Sequence, residues 1–376
     1  MSISINPFIV SGKIPEAFFC DRIEESSELQ KSLTNQLNVV LTSSRRMGKT
    51  SLVDFVFDKQ VIKDDYITIS VDILQTTTFR EFIFTLGTAV FETVATRSDK
   101  WRKMFITFLK SLSGSFGYDP VQNIPTFDIR LGDIKQPEYT LREIFQYLES
   151  VEKRCLVVID EFQQITRYPE KNVEEILRTH IQKLSNANFV FSGSRRRLME
   201  EMFFSAKRPF YQSAKPLRLE AINQDVYFDF AQSHFQQAGK DISKEAFTYV
   251  YETFWGVTLY VQRLMKDAYI DTLPGTTCDI DMVKRLTDNY IRENDSHLRE
   301  QLSFVTEAQK ELLYAIHAEG QVQSITSSAF NRKHRLRSPS STQSAALKLL
   351  EYDLITRKEK TYSLSDRLMD LWLSRR

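Results

Sequence analysis

The sequence predicts an α/β fold. A parallel sheet with helices on both faces is followed by a helical domain and then by three helices with a two-stranded wing. Three observations predict it. Short apolar runs alternate with helical patterns up to about residue 215, which argues for strands joined by crossover helices. From about 216 to 290 the pattern is helical only, with aromatic residues at helical spacing. From about 295 onward, three helical stretches precede two short alternating runs around a polar tip.

The first strand is Leu37-Asn38-Val39-Val40-Leu41, and Ser51-Leu52-Val53 opens a helix that runs through Phe57. Between them lies Thr42-Ser43-Ser44-Arg45-Arg46-Met47-Gly48-Lys49-Thr50. Strand, Gly-Lys-Thr turn and helix form the pattern of a phosphate-binding loop. Backbone N–H groups at a helix start point at an anion, and the helix dipole favours negative charge there. Gly48 allows close backbone approach, Lys49 supplies charge to β- and γ-phosphates, and Thr50 offers a hydroxyl to Mg²⁺. The candidate nucleotide-binding stretch is Ser43, Ser44, Arg45, Arg46, Met47, Gly48, Lys49, Thr50 and Ser51. Ser43 stands where such loops usually carry their first glycine.

Tyr66–Asp72 alternates as a second strand, and helical patterning runs from Thr78 to about Leu112. Residues 113–138 are punctuated by Gly and Pro; alternation of Phe127, Ile129 and Leu131 predicts a short insertion or hairpin. A helix from Thr140 to Val151 leads into Cys155-Leu156-Val157-Val158-Ile159-Asp160-Glu161, a buried strand ending in two carboxylates. Ligands of open α/β sheets sit at the carboxyl ends of strands. Asp160 is therefore expected to face Mg²⁺, with Thr50, and Glu161 to polarise the water that attacks a γ-phosphate. The strands carrying the two signals are expected to be neighbours. A helix over about 172–184 and a strand from Ala187 to Ser194 complete this part.

The helical domain is expected over 216–292, with helices at Asn223–Gln237, Ser243–Thr253, Thr258–Tyr269 and Ile280–Tyr290. Phe228, Phe230, Phe235, Phe247, Tyr251 and Phe254 supply its core. In the last part, 293–376, helices at Ala308–His317, Ser324–Arg332 and Ser340–Leu350 precede Leu354-Ile355-Thr356 and Thr361-Tyr362-Ser363-Leu364, around the tip Arg357–Lys360. Three helices and a wing describe a winged helix. Residues 331–376 hold eleven Lys/Arg against five Asp/Glu, and Arg332, Lys333, Arg335 and Arg337 precede the third helix. Docking on DNA through phosphate contacts and service as a protein-interaction module both stay open.

Composition narrows the class. The chain has 376 residues and is 42% apolar, enough for two or three packed domains. A net charge of +1 gives no global attraction to nucleic acid or anionic membrane. Three cysteines, far apart and odd in number, form no disulfide framework or zinc spacing, and the five histidines form no ligand pair. No apolar run approaches the roughly 20 residues of a membrane helix, and no secretory leader pattern opens the chain. A cytoplasmic protein with no membrane partner is expected.

Several pieces, in order, resemble a known family: Asn6-Pro7-Phe8, Phe18-Phe19-Cys20-Asp21-Arg22-Ile23-Glu24-Glu25, Ser44-Arg45-Arg46-Met47-Gly48-Lys49-Thr50-Ser51-Leu52, Asp160-Glu161-Phe162-Gln163, Ser192-Gly193-Ser194 and the closing Tyr362-Ser363-Leu364-Ser365-Asp366. Together they look like the archaeal-type P-loop ATPases allied to the STAND and origin-recognition branches of the AAA+ superfamily. The resemblance implies a P-loop NTPase domain, a helical lid domain and a winged-helix domain. It implies ATP/ADP and Mg²⁺ as cofactors, with Lys49, Asp160 and Glu161 as catalytic residues of a Mg-dependent ATPase. It implies a molecular switch whose nucleotide state is coupled to the winged helix. By resemblance, Arg22 lies near adenine and ribose, although Asp21 replaces the glycine of that box. Ser192 and Ser194 lie where the γ-phosphate is sensed. One of Arg195, Arg196 and Arg197 acts as a phosphate sensor or, in a nucleotide-dependent homo-oligomer, as an arginine finger. Phe254-Trp255-Gly256-Val257-Thr258 resembles the lid segment, with Thr258 in place of proline, and Arg263 is a further sensor candidate. The alternative is a DNA-binding protein or protein adaptor with a regulatory, poorly hydrolysing nucleotide site.

Overall fold

The computed structural model describes residues 6–95, 97–112, 116–119, 124–127 and 131–375. The chain forms two compact units. One is Ser11–Ile222; the other comprises Asn223–Arg376 and the segment ending at Val10.

The first unit is built on five parallel strands: β1 (Val39–Ser43), β2 (Tyr66–Asp72), β3 (Arg154–Asp160), β4 (Ala187–Gly193) and β5 (Lys215–Leu219). Their order is β2-β3-β4-β1-β5. Strand alternation sends side chains to two cores. Val40, Ile69, Val157, Ile159, Phe189 and Phe191 face one core, which also takes the helices Phe79–Ala95 and Pro137–Ser150. Leu41, Leu156, Val158, Val190 and Leu217 face the other, against the helices Ile23–Thr34 and Lys49–Asp58. Burial on both faces is why these strands read as continuous apolar runs.

The predicted adjacency of the two signal strands fails. β4 lies between β1 and β3, paired to Val39–Thr42 on one side and to Cys155–Ile159 on the other. Apolar runs report burial, not strand order, so the sequence pattern held nothing against which to check that adjacency. A further strand, β5, pairs with β1 at the sheet edge. Pro216 hides it in the sequence, because proline lacks the N–H of a central strand and is accommodated at an edge. The hairpin expected near Phe127 is present as Phe116–Asp119 against Ile124–Phe127; Ile129 lies outside the described residues.

In the second unit side chains mark the helix starts. Asn223, Ser243, Asp279, Ser327, Ser338 and Asp366 each accept from a first-turn backbone N–H. Thr306 and Gln309 form a capping box. Four helices, Gln224–Gln237, Lys244–Thr253, Thr258–Asp271 and Ile280–Glu293, form the predicted bundle. Phe8 joins its aromatic core against Phe230, Phe235 and Tyr269.

Beyond it, the helices Glu307–Glu319, Ser328–Lys333 and Pro339–Glu351 precede β6 (Ile355–Lys358) and β7 (Thr361–Leu364), which are antiparallel. The turn before the third helix is set by a buried polar latch. Asn331 Nδ2 donates to Ile325 O at 2.8 Å, and Thr342 Oγ1 donates to Asn331 Oδ1 at 2.7 Å. The final helix Arg367–Leu373 ties back to the bundle. Arg367 Nε donates to Thr253 O at 2.8 Å and its guanidinium lies 4.4 Å from the Trp255 ring centroid. Tyr260 OH donates to Asp366 Oδ1 at 2.6 Å.

Candidate nucleotide-binding site

β1 ends at Ser43, and the chain turns through Ser44, Arg45 and Arg46 before the helix Lys49–Asp58 begins. Arg46 and Gly48 both take positive φ, 66° and 89°. The left-handed conformation is cheap for glycine and costly for arginine. Gly48 is the helix N-cap and supplies no side-chain cap. A helix start of this kind can receive an anion on its first N–H groups.

Ser43, the departure from the usual glycine, is accommodated by an ordinary strand backbone, since its φ is not positive. Its hydroxyl donates to Ser44 O at 2.6 Å and accepts from Lys49 Nζ at 3.3 Å. Lys49 is 7% exposed. Burial pushes its ammonium below the ordinary lysine value, against the pull of Glu161 and Asp160. Met47 is buried, while Ser44, Arg45, Arg46 and Thr50 are exposed and Ser51 is half-buried.

The strand order brings the second half of the site to the loop. Asp160 Oδ2 accepts from Thr50 Oγ1 at 3.1 Å, and Asp160 Oδ1 accepts from Ser192 Oγ at 2.7 Å. Ser192 can lie between them because β4 lies between β1 and β3. Glu161 takes φ 54° and begins the turn Phe162–Arg167. Phe162 is fully buried against Phe191, Phe203 and Phe210 and pins the backbone after it. Glu161 Oε2 accepts from Ser194 Oγ at 2.7 Å and from Gln163 Nε2. The sequence does not single out Gln163, because no pattern in it tells which strand end this residue meets.

Thr50 and Asp160 offer hard oxygen donors, one hydroxyl and one carboxylate. That set fits Mg²⁺, which takes one or two protein ligands and fills its remaining positions with phosphate and water oxygens. Among the described residues no cluster of three or more His, Cys, Asp or Glu could hold a metal alone.

Arg22 is 6% exposed, at φ 62°. Its guanidinium donates to Glu25 Oε1 at 2.8 Å, Glu220 O at 2.7 Å and Met47 O at 3.5 Å. It thus ties the phosphate loop to the end of β5. Arg196 bonds Glu200 and Glu220 at 3.1 and 3.2 Å, and Arg263 bonds Asp267 at 2.8 Å. These two sensor candidates are engaged by carboxylates within their own units. Two shallow hollows of the first unit lie away from this loop, one beside Glu24, Glu28, Phe204 and Arg218 and one beside Lys13, Phe55 and Asp58.

The Gly-Lys-Thr turn, the buried lysine and the hydroxyl–carboxylate pair at the carboxyl ends of this five-stranded parallel sheet give the first unit the fold of a P-loop NTPase, and the second unit ends in a winged helix. Residues 296–375 match the family model described as a probable winged helix domain. The chain is similar in structure to a Walker-type ATPase of Pyrococcus abyssi, with a TM-score of 0.67 and 18% identity over 98% of this chain and 99% of that one. It is similar to the Aeropyrum pernix ORC2 protein solved as ADPNP–ADP complexes, with a TM-score of 0.56 and 12% identity over 99% and 98%. It also resembles the Aeropyrum pernix ORC1 protein in complex with DNA, at 0.50 and 10% over 95% and 93%. At these identities the likeness is one of fold. No curated protein matched the chain by sequence. Among the described residues no helix is long and apolar enough to cross a membrane.

Proposed function

We propose that the chain binds ATP and hydrolyses it slowly, as a switch whose nucleotide state is read out through the winged helix. The observation that carries this reading is the meeting of Thr50 and Asp160 at 3.1 Å beside an uncapped helix start. Lys49 and the loop N–H groups hold the β- and γ-phosphates. When bound, Mg²⁺ held through Thr50 and Asp160 neutralises charge on the phosphate oxygens. Glu161 takes a proton from the attacking water as its oxygen bonds to the γ-phosphorus. The bond to the bridging oxygen breaks, and its electron pair leaves with ADP; inorganic phosphate is the other product. Positioning and charge neutralisation dominate such a transfer.

The three-part organisation, with a lid over 216–292 and a winged-helix domain over 293–376, belongs to this proposal. Arg367 and Asp366 connect the bundle segment around Trp255 to the final helix of the winged-helix domain, which supports transmission from one to the other. Steady-state phosphate release from ATP, with Mg²⁺ and with EDTA, tests the activity. Magnesium-dependent turnover supports an ATPase; ATP binding without turnover supports a nucleotide-held adaptor.

One observation favours DNA as the readout partner. Arg335 and Arg337 are exposed just ahead of the helix Pro339–Glu351, and their side chains have no partner among the described residues. They are suited to phosphate contacts.

A further inference from the structure

Resting on the reading of Glu161 as the base, the geometry points to Ser194 and Gln163 as positioning residues that fix the Glu161 carboxylate for proton abstraction. Both donate to the same oxygen, Oε2. Among the described residues the other oxygen, Oε1, accepts no hydrogen bond. A carboxylate held by one oxygen keeps the other for a water, and fixing its rotamer beforehand removes an entropy cost from the reacting step.

The two donors come from different elements. Gln163 lies in the turn after β3, pinned by the buried ring of Phe162. Ser194 directly follows β4. The carboxylate therefore registers the relative position of two strand ends. Gln163 is 4% exposed and its Oε1 has no partner. The amide hydrogen bond of Nε2 to Glu161 sets its orientation, since the flipped amide would turn its oxygen toward the carboxylate. Gly193 belongs to the same arrangement. A Cβ there would collide with Gln163 Oε1 and would lie 2.7 Å from Met199 Cγ and Sδ. The absent side chain makes room for the amide.

The test is single-turnover ATP hydrolysis with nucleotide affinity measured alongside. The variants are Ser194→Ala, Ser194→Thr, Gln163→Met and Glu161→Gln, with Ser194→Ala also built into the Glu161→Gln background. Ser194→Ala and Gln163→Met are expected to slow hydrolysis by about 10-fold or more while ATP affinity stays within about 2-fold. Ser194→Thr, which keeps the hydroxyl, is expected to restore most of the rate. In the Glu161→Gln background Ser194→Ala is expected to change nothing further, because it acts through Glu161. An equal loss in both backgrounds, or a wild-type rate for Ser194→Ala, overturns the positioning role while leaving the base in place. Wild-type turnover by Glu161→Gln removes the base itself, and this inference with it.

Discussion

Thr50 Oγ1 and Asp160 Oδ2 lie 3.1 Å apart although 110 residues separate them in the chain. The helix start carrying Thr50 follows β1 and Asp160 closes β3, and the two meet across the end of the intervening β4. Asp160→Ala would leave the Thr50 and Ser192 hydroxyls without their acceptor and weaken magnesium-dependent nucleotide binding. Hydrogen bonds to charged groups are worth roughly 1.5–3 kcal/mol, so a loss of about 10-fold or more is expected. Nucleotide titrations with and without Mg²⁺ check it. Equal affinity in both conditions for the wild type would contradict the pairing of Thr50 and Asp160 as ion ligands.

Lys49→Ala is expected to remove most nucleotide affinity, again by about 10-fold or more. The ammonium is already partly desolvated and held by the Ser43 hydroxyl, so little reorganisation is needed when phosphate arrives. Calorimetric titration with ATP measures the change. A variant that binds as the wild type does would place the phosphates elsewhere.

The sequence made much of this legible, for a physical reason. Cys155–Ile159 and Val39–Leu41 are buried on both faces, so they stand out as apolar runs, and Gly48-Lys49-Thr50 is local chemistry that needs no tertiary information. Ser192 was placed at the site only through resemblance; its bond to Asp160 follows from strand order, which apolar patterning does not encode. Strand β5 was hidden by Pro216 and by exposed Lys215 and Arg218 at a sheet edge. The helix Arg196–Phe204 opens inside the run Arg195–Arg197, and its Met199, Met202 and Phe203 are fully buried.

Gly193→Ala is expected to destabilise the first unit by roughly 1–3 kcal/mol, the usual cost of overpacking a filled interior. The new methyl would press on Gln163 and Met199 beside the carboxylate clamp. Denaturant unfolding reports the loss. Unchanged stability would mean that the surroundings yield without cost.

Asp54 gives a pH signature. Burial raises its carboxyl above the ordinary value, opposed by Lys13 and reinforced by Asp58 and Asp160. With the folded value above the unfolded one, the native state binds the proton more tightly. The group's unfavourable contribution grows as pH rises through that window and is fully present above it. Asp54→Asn should therefore melt higher than the wild type at neutral pH, with the gap closing below about pH 4. A gap that widens on acidification would reverse the sign.

If the winged helix docks on DNA, binding must weaken steeply with salt, by roughly 0.9 in log K per log unit of salt for each phosphate neutralised. Replacing Arg332, Lys333, Arg335 and Arg337 by Ala should flatten that slope. Arg335 and Arg337 should dominate, because Lys333 is already paired with Glu319 at 2.6 Å. Fluorescence anisotropy at several salt concentrations measures this; a flat wild-type response favours a protein partner instead.

The proposed role of Glu161 is to activate water at a site that Lys49, Thr50 and Asp160 hold ready for ATP. Its most direct test is ATP hydrolysis by the wild type and Glu161→Gln, with ATP binding measured in the same samples. Equal binding is expected, with a loss of turnover of about 100-fold or more in Glu161→Gln. Equal binding with equal turnover would contradict it.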